Sequence, residues 1–149
     1  MAPAWTTSGR QTNLSPVSQL ISPKILFRAM RRAEDARPLC GQLANELGVR
    51  PGIDISSDQV GRVHPETGGL SATPDDPNAL PPHVRPPSLG GRGKLPIFVV
   101  EAAALQSDLA VRRDPKHPLR HAFIEPSARM ALSSLQEYLC GSRTHWKEV

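Results

Sequence analysis

Proline is the residue type that most limits how this chain can fold, because half of its prolines fall in one stretch. The chain has 149 residues and 16 prolines. Those between residues 65 and 96 stand at positions 65, 74, 77, 81, 82, 86, 87 and 96. Proline has no N–H to donate and clashes with a preceding helical turn, so no regular element can run far through this stretch. The spacing predicts a long loop, and a long loop inside a compact domain is often functional.

The remaining length suits one domain with a mainly aliphatic core, since hydrophobic residues make up 38% of the chain and aromatic residues only 4%. Residues 1–22 are rich in Ser, Thr, Gln, Asn and Pro and offer little apolar surface to offset the entropy of ordering. We therefore predict a flexible N-terminal arm over 1–22 and a single domain over 23–149.

Hydrophobic patterns predict an α+β fold. Strands are expected at 25–30, 97–100, 109–112 and 121–124, where apolar and β-branched residues cluster. One helix is expected after Pro38, with Leu39, Leu43 and Leu47 on one face. A second helix is expected after Pro126, with Ser127 as its N-cap and Gly141 at its end. Its apolar face comprises Ala131, Leu135, Tyr138 and Leu139, and Trp146 beyond it is expected to pack back onto the sheet.

Two cysteines and the absence of long apolar runs bear on the compartment. Cys40 and Cys140 both fall in predicted helices, and we predict buried free thiols, which a reducing compartment would preserve. No apolar run approaches the roughly 18 residues that a membrane span needs, and no hydrophobic signal core follows Met1. We expect a soluble, cytoplasmic protein that makes no membrane contact, and any export would use a route without a cleaved signal.

Several familiar site patterns are not met. In Gly90-Gly91-Arg92-Gly93-Lys94 the residue after the lysine is Leu95, whereas a phosphate-binding loop needs Ser or Thr there. Pro118 separates His117 from His121 and no third ligand is suitably spaced, so no metal site is predicted. The net charge of +4 comes from scattered basic residues, and few aromatic residues could stack on bases, so nucleic-acid binding is not expected.

Arg28 and His121 are polar residues within apolar segments, and each has two possible interpretations. Arg28 interrupts a predicted core strand, and a charge there must be paired or face a cleft. It either forms a buried ion pair with Asp or Glu or recognises a phosphate or carboxylate through its guanidinium. His121 begins a predicted strand and is either a packed rim histidine or a ligand-binding residue.

The stretch from Pro65 to Pro74 joins a polar turn to a short extended segment. Gly68 and Gly69 permit close backbone approach, and Pro74 favours an extended Thr73. Ser71 and Thr73 should therefore share one face of a brief strand at the mouth of the long loop. By itself this is a glycine turn before a strand.

Five segments, taken in order, resemble the small toxins exported by bacterial type VI secretion that have an ADP-ribosyltransferase-like fold. They are Leu26-Phe27-Arg28-Ala29, Pro65-Glu66-Thr67-Gly68-Gly69-Leu70-Ser71, the strand from Ile97 to Val100, Leu109-Ala110-Val111, and His121-Ala122-Phe123-Ile124-Glu125-Pro126 with its following helix and Trp146. The resemblance covers about residues 25–149.

This resemblance implies two small packed β-sheets with flanking helices and a cleft between them that binds NAD. It implies that Arg28 holds the dinucleotide phosphates, that Gly69, Ser71 and Thr73 form the wall at the ribose, and that His121 hydrogen-bonds the ligand. Such toxins act on a target macromolecule, unknown here, and travel with an immunity protein.

The catalytic glutamate of familiar transferases has two possible counterparts, Glu125 after the His121 strand and Glu101 at the end of the 97–100 strand. Tyr138, the only tyrosine, lies in the terminal helix, so a tyrosine-flanked nicotinamide pocket is not evident. The leading hypothesis is a toxin-like NAD-dependent ADP-ribosyltransferase. The alternative is a non-enzymatic interaction protein that docks through its proline-rich middle segment.

Overall fold

A computed structural model of the protein describes residues 20–149, so nearly all of the predicted N-terminal arm lies outside the described residues. The strands are β1 (Ile25–Ala29), β2 (Arg62–Val63), β3 (Leu70–Pro74), β4 (Ile97–Glu101), β5 (Leu109–Arg113), β6 (Ala122–Pro126), β7 (Met130–Ala131) and β8 (Lys147–Glu148). The α-helix of this part of the chain, α1, spans Leu132–Gly141. The predicted α+β class is confirmed, with one helix where flanking helices were expected.

Six strands form one antiparallel sheet in the order β5-β6-β3-β1-β4-β8, and β2 pairs with β7 in a separate two-stranded sheet. The strands predicted at 25–30, 97–100, 109–112 and 121–124 are confirmed, each with a shift of one or two residues at its ends. The brief strand predicted around Ser71 and Thr73 is also confirmed as β3.

Strands β1 and β4 are apolar on both faces. Side chains alternate between faces along a strand, so Leu26 and Phe98 enter the main core while Phe27 and Ile97 enter a second, smaller cluster on the other face. We call β1 and β4, together with the exposed two-residue edge strand β8, the buried half of the sheet. The largest side chains of the main core are fully buried and come from every part of the described chain: Leu26, Met30, Leu47, Leu70, Phe98, Ile124, Leu135, Leu139 and Trp146.

Strands β3, β6 and β5 form what we call the polar half. On one face Leu70, Ala72, Ala122, Ile124 and Leu109 join the main core. The opposite face carries the alternating residues Ser71, Thr73, Arg112, Phe123 and Glu125, as the strand registers require. The polar half therefore presents chemically useful side chains on a rigid support.

The C-terminal helix begins later than predicted. Ser127 does not cap it, because β6 runs to Pro126 and the short strand β7 intervenes before Leu132. Leu135 and Leu139 of the predicted apolar face are buried, and Gly141 is the last helical residue. Trp146 packs into the core as expected, and its Nε1–H donates to Ser142 Oγ at 3.1 Å.

The prediction of a helix after Pro38 is wrong. The segment 38–48 forms irregular turns in which the Leu39 N–H donates to the Arg31 carbonyl and the Leu47 N–H to the Leu39 carbonyl. Asn45 has a φ of 65°, outside the right-handed helical region. Leu47 is buried, but Leu43 is 65% exposed, so leucine spacing alone did not produce a helix.

The prediction of free thiols is also wrong, because Cys40 and Cys140 form a disulfide with Cα atoms 5.5 Å apart. Cys40 lies in the irregular 38–48 segment and Cys140 in the last turn of α1. The packing of α1 against this segment brings together two residues separated by 100 positions. A disulfide suits an oxidising environment, so the expectation of a reducing compartment loses its basis.

The proline-rich stretch contains no long element, as predicted. Between β3 and β4 it forms two short 3-10 turns, Pro77–Ala79 and Pro87–Leu89. Leu80 is buried against Phe27, Ala29 and Ile97, and Val84 packs beside them. The stretch is therefore an ordered cover over the second face of the buried half.

Candidate functional site

A cleft opens where the two halves of the sheet separate. Strands β1 and β3 pair only at Leu26 with Pro74 and at Phe27 with Thr73. Beyond these pairs β1 continues alongside β4 and β3 continues alongside β6, so the two strands diverge. The cleft has a volume of about 860 Å³. That volume is within the range of small-molecule binding sites.

The lining of the cleft comes from four regions of the chain. They are the strands at the divergence, the 38–48 segment, the cover formed by the proline-rich stretch, and the loop before β6. The lining residues with hydrogen-bonding side chains are Arg28, Asn45, Ser71, Thr73, Asp76, Asn78, Arg85, His117, Arg120 and His121. Three arginines face one aspartate in this set, so the cleft favours an anionic ligand.

Arg28 spans the gap between the diverging strands. Its Nη1–H donates to the Ser71 carbonyl at 2.9 Å and its Nη2–H to the Glu46 carbonyl at 2.9 Å. Neither sequence reading foresaw this arrangement, since the partners are backbone carbonyls and not a carboxylate. Burial, which outweighs the opposing field of Asp54, lowers the pKa of Arg28 to about 10. Two of the five N–H donors of the guanidinium are used, and the buried Nε–H has no partner among the described residues.

Asn45 is a part of the cleft that the sequence did not indicate. It lines the cleft from the 38–48 segment with a φ of 65°, and its carbonyl accepts the Arg31 N–H at 2.7 Å. A left-handed backbone conformation is uncommon for residues other than glycine, although asparagine tolerates it better than most. The adjacent Glu46 carbonyl holds Arg28, so this segment completes the floor of the cleft.

Ser71 and Thr73 occupy neighbouring positions on one face of β3, as predicted, and both line the cleft. Thr73 is buried and pairs with Phe27 at the point of divergence, whereas Ser71 is half-buried and lies beyond it. Their hydroxyls are placed to donate and accept hydrogen bonds at the apex of the gap.

His121 lies at the rim of the cleft immediately before β6. Its Nδ1 is 2.8 Å from Asp114 Oδ2, and its ring meets the Phe123 ring edge-on with centroids 4.7 Å apart. The side chain of His121 is 30% exposed. The structure thus brings together Arg28, Ser71, Thr73 and His121, which the resemblance named, in one cleft.

The proline-rich cover supplies the opposite wall. Arg85 lines the cleft and donates from Nη1 to the Asn78 carbonyl at 2.8 Å. The glycine-rich turn packs directly behind it, because a Cβ at Gly91 would lie 2.0 Å from the Arg85 carbonyl oxygen. Gly91 and Gly93 therefore serve close backbone packing.

Gly69 does not line the cleft. A Cβ at this position would lie 2.5 Å from the Ile124 carbonyl oxygen, so glycine is required for β3 to approach β6. Its N–H donates to the Asp54 carbonyl at 3.0 Å. The role of Gly69 is to place Ser71, two residues further on, and not to contact a ligand in the cleft.

Glu125 lies outside the cleft. Its carboxylate is 96% buried, accepting the Arg112 Nε–H at 2.8 Å and the Glu66 N–H at 3.0 Å. Phe123 stands between Glu125 and His121 on the same face, and four residues of extended strand separate them by about 13 Å. The contacts of Glu125 hold the 65–69 turn against β6.

Glu101 is also remote from the cleft. It is exposed at the end of β4, opposite Ile25 in the strand register. The structure therefore places neither predicted glutamate among the residues that line the cleft. Within the described part of the chain, the carboxylate that does line it is Asp76, on the proline-rich cover.

The sequence did not point to Asn45, Arg85 or Arg120 as site residues. All three lie in irregular segments, where no periodicity fixes the direction of a side chain. Arg85 does carry one signal, since a cation between Val84 and Pro86 lies within the stretch that was predicted to be functional.

Two other possible kinds of site were searched for in the described residues. Among residues 20–149, no group of three or more His, Cys, Asp or Glu side chains is placed to hold a metal ion. In the same range, no helix is both long enough and apolar enough to cross a membrane.

Comparison with known proteins adds no family to these observations. No protein-family model matches the chain, and no curated protein matches it significantly.

Proposed function

We propose that this chain is a toxin-like NAD-dependent ADP-ribosyltransferase that binds NAD in the cleft between β1 and β3. The observation that carries the proposal is the convergence of Arg28, Ser71, Thr73 and His121 on that cleft. These residues come from three separate segments, and all four are site residues that the resemblance implies. The structure has one six-stranded sheet where two small packed sheets were expected. An ADP-ribosyltransferase-like fold belongs to the same proposal.

The charge of the cleft supports a dinucleotide ligand. NAD carries two phosphates, and Arg28, Arg85 and Arg120 all line the cleft. Arg28 retains three of its five N–H donors after its two bonds to carbonyls. Because it is largely shielded from water, its attraction to a phosphate is weakly screened. The hydroxyls of Ser71 and Thr73 suit the ribose next to the nicotinamide.

ADP-ribosyl transfer proceeds through a cationic, oxocarbenium-like ribose after nicotinamide departs. Hydroxyl and carbonyl groups fixed at the cleft apex would orient that ribose and exclude water. The acceptor is a target macromolecule whose identity is unknown, and we propose that an immunity protein protects the producing cell.

Calorimetric titration with NAD, followed by incubation with labelled NAD and a cell lysate, tests the proposal. Wild-type protein should bind NAD and release nicotinamide or label an acceptor. Arg28→Lys should weaken binding at least tenfold, because lysine cannot bridge two carbonyls and a phosphate at once. Arg32→Lys is the matched control, since Arg32 lies outside the cleft and pairs with Glu148. Absence of binding, transfer and glycohydrolysis in the wild type would reject the proposal.

The alternative is a non-enzymatic interaction protein that docks through the proline-rich middle segment. One observation favours it: residues 83, 87 and 88 of that segment are exposed and lie outside the cleft. Under this alternative, substitutions on that outer surface abolish activity in the cell, whereas Arg28→Lys and Ser71→Ala leave it intact. Under the transferase proposal the pattern is reversed.

A further inference from the structure

The two ring nitrogens of His121 have different surroundings. Nδ1 lies 2.8 Å from Asp114 Oδ2. No hydrogen bond to another of residues 20–149 occupies Nε2, and the histidine is among the residues that line the cleft. One nitrogen is therefore engaged by a carboxylate while the other is free to meet a ligand.

The ionisation of Asp114 fixes which nitrogen carries the proton. Burial raises the pKa of Asp114, but hydrogen bonds from His121 and from the Lys116 N–H outweigh it and hold this pKa below its usual value. An ionised carboxylate can only accept hydrogen bonds, so the proton resides on Nδ1. A neutral imidazole in this tautomer presents Nε2 to the cleft as an acceptor.

The ring is also held in place from other directions. The Asp114 N–H donates to the His121 carbonyl at 2.9 Å, and the His121 N–H donates to the His117 carbonyl at 2.9 Å. Phe123 supports the ring edge-on, and the Arg112 guanidinium lies 4.8 Å from the Phe123 centroid on that ring's face. These contacts orient the imidazole before any ligand arrives.

We propose that Asp114 is a positioning residue that fixes His121 in the Nδ1–H tautomer, so that Nε2 removes the proton from the nucleophile that replaces nicotinamide. This inference rests on the proposed function. It assigns the general base to His121, because the two predicted glutamates, Glu125 and Glu101, lie outside the cleft.

In this step the bond between the ribose C1′ and the nicotinamide nitrogen breaks, and nicotinamide leaves with the electron pair. An oxygen of the acceptor, or of water, forms the new bond to C1′. Its proton passes to His121 Nε2, the Asp114 carboxylate balances the resulting imidazolium, and the proton is then released to solvent. The reaction consumes NAD and needs no other co-reactant.

The chain offers a matched control for the test. Asp58 and His64 form a second pair, with Asp58 Oδ2 also 2.8 Å from a ring nitrogen, but neither residue lines the cleft. Asp114→Asn should lower kcat for NAD consumption by at least ~100-fold while KM for NAD changes by less than about threefold, as expected for loss of a proton-transfer step. Asp58→Asn should leave both constants unchanged.

Nitrogen-15 NMR of the wild-type protein without NAD provides a readout that depends on neither turnover nor the folding of a variant. The inference requires the Nδ1–H tautomer of His121. An Nε2–H tautomer, or an Asp114→Asn variant with wild-type kcat, would overturn it, as would equal losses in Asp114→Asn and Asp58→Asn. If the wild type neither binds nor consumes NAD, the proposed function fails, and the tautomer measurement still decides whether Asp114 positions His121.

Discussion

The two halves of the six-stranded sheet are built from similar backbone but differ in what their second face carries. In the buried half, β1 and β4 bury apolar side chains on both faces, with Phe98 on one and Phe27 on the other. In the polar half, β3 and β6 join the apolar core through one face only. Their other face presents Ser71, Phe123 and Glu125.

Because of this difference, the buried half provides mechanical support and the polar half carries the side chains that can bind a ligand. The buried half is fixed by apolar packing on two sides, so it can act as the rigid wall from which Arg28 reaches across the gap. The polar half can carry hydroxyl, imidazole and carboxylate groups because its remaining face still anchors it in the core.

Truncating one phenylalanine in each half compares them directly. Phe98 is fully buried in the main core, so Phe98→Ala should lower the free energy of unfolding by about 4 kcal/mol. Phe123 is half-buried and contacts His121 and Arg112, so Phe123→Ala should cost clearly less stability but weaken NAD binding. Urea denaturation and calorimetric titration measure the two effects. Equal losses of stability would mean that both halves are equally structural.

The disulfide joins the halves on the core side, because Cys40 belongs to the segment that contacts β1 and Cys140 to the helix that packs on β5. The double variant Cys40→Ser, Cys140→Ser should lose about 3 kcal/mol of stability. The denaturation midpoint of the oxidised wild type, compared with that of the variant, measures this loss. Reduced wild type serves as the control and should match the variant; a variant as stable as the oxidised protein would contradict the expectation.

Substitution of Glu125 tests whether a carboxylate of the polar half stabilises the fold. Glu125→Gln removes the charge opposite the largely buried Arg112 guanidinium and should lower the free energy of unfolding by about 2 kcal/mol. Glu101→Gln is the control, since Glu101 is exposed and should change stability little. If Glu125 is instead the catalytic glutamate, the opposite pattern is expected: unchanged stability and lost turnover.

Asp58 lies on the surface beside β2, outside both halves, and should give the smallest effect. Its pKa is lowered from 3.8 to about 2, chiefly by the hydrogen bond with His64 and then by the Arg62 N–H. A carboxyl group whose pKa falls on folding adds stability above 3.8, and this contribution is lost as the pH falls towards 2. Stability measured from pH 5 to pH 2 should therefore fall less steeply in Asp58→Asn than in the wild type. Parallel curves would show that the pair makes no net contribution.

The sequence predicted strands better than it predicted the segment after Pro38, for a physical reason. Residues 97–100 are apolar and either β-branched or aromatic, a composition that favours a buried strand. Leu39, Leu43 and Leu47 have helical spacing, yet the backbone hydrogen bonds of Leu39 with Arg31 and of Leu47 with Leu39 fold this segment against the end of β1. These contacts come from tertiary structure and leave no local pattern.

The same distinction between regular strands and irregular segments applies to the residues of the cleft. Ser71 and Thr73 could be placed on one face from the sequence because side chains alternate along a strand, whereas His121 was indicated by the resemblance. Asn45 and Arg85 could not, because irregular segments direct them. Glu125 was expected just after a predicted strand, but only the contacts with Arg112 and the 65–69 turn show that its carboxylate is occupied.

The Cys40–Cys140 bond closes a covalent ring that contains β2 through β7 and nearly all of α1. Strand β1 lies outside this ring, on a free tail, yet it is inserted between two ring strands, β3 and β4. Arg28 therefore belongs to the tail, while Ser71 and His121 belong to the ring. The cleft therefore lies between the ring and the tail. Hydrogen bonds and apolar packing hold the tail between the ring strands.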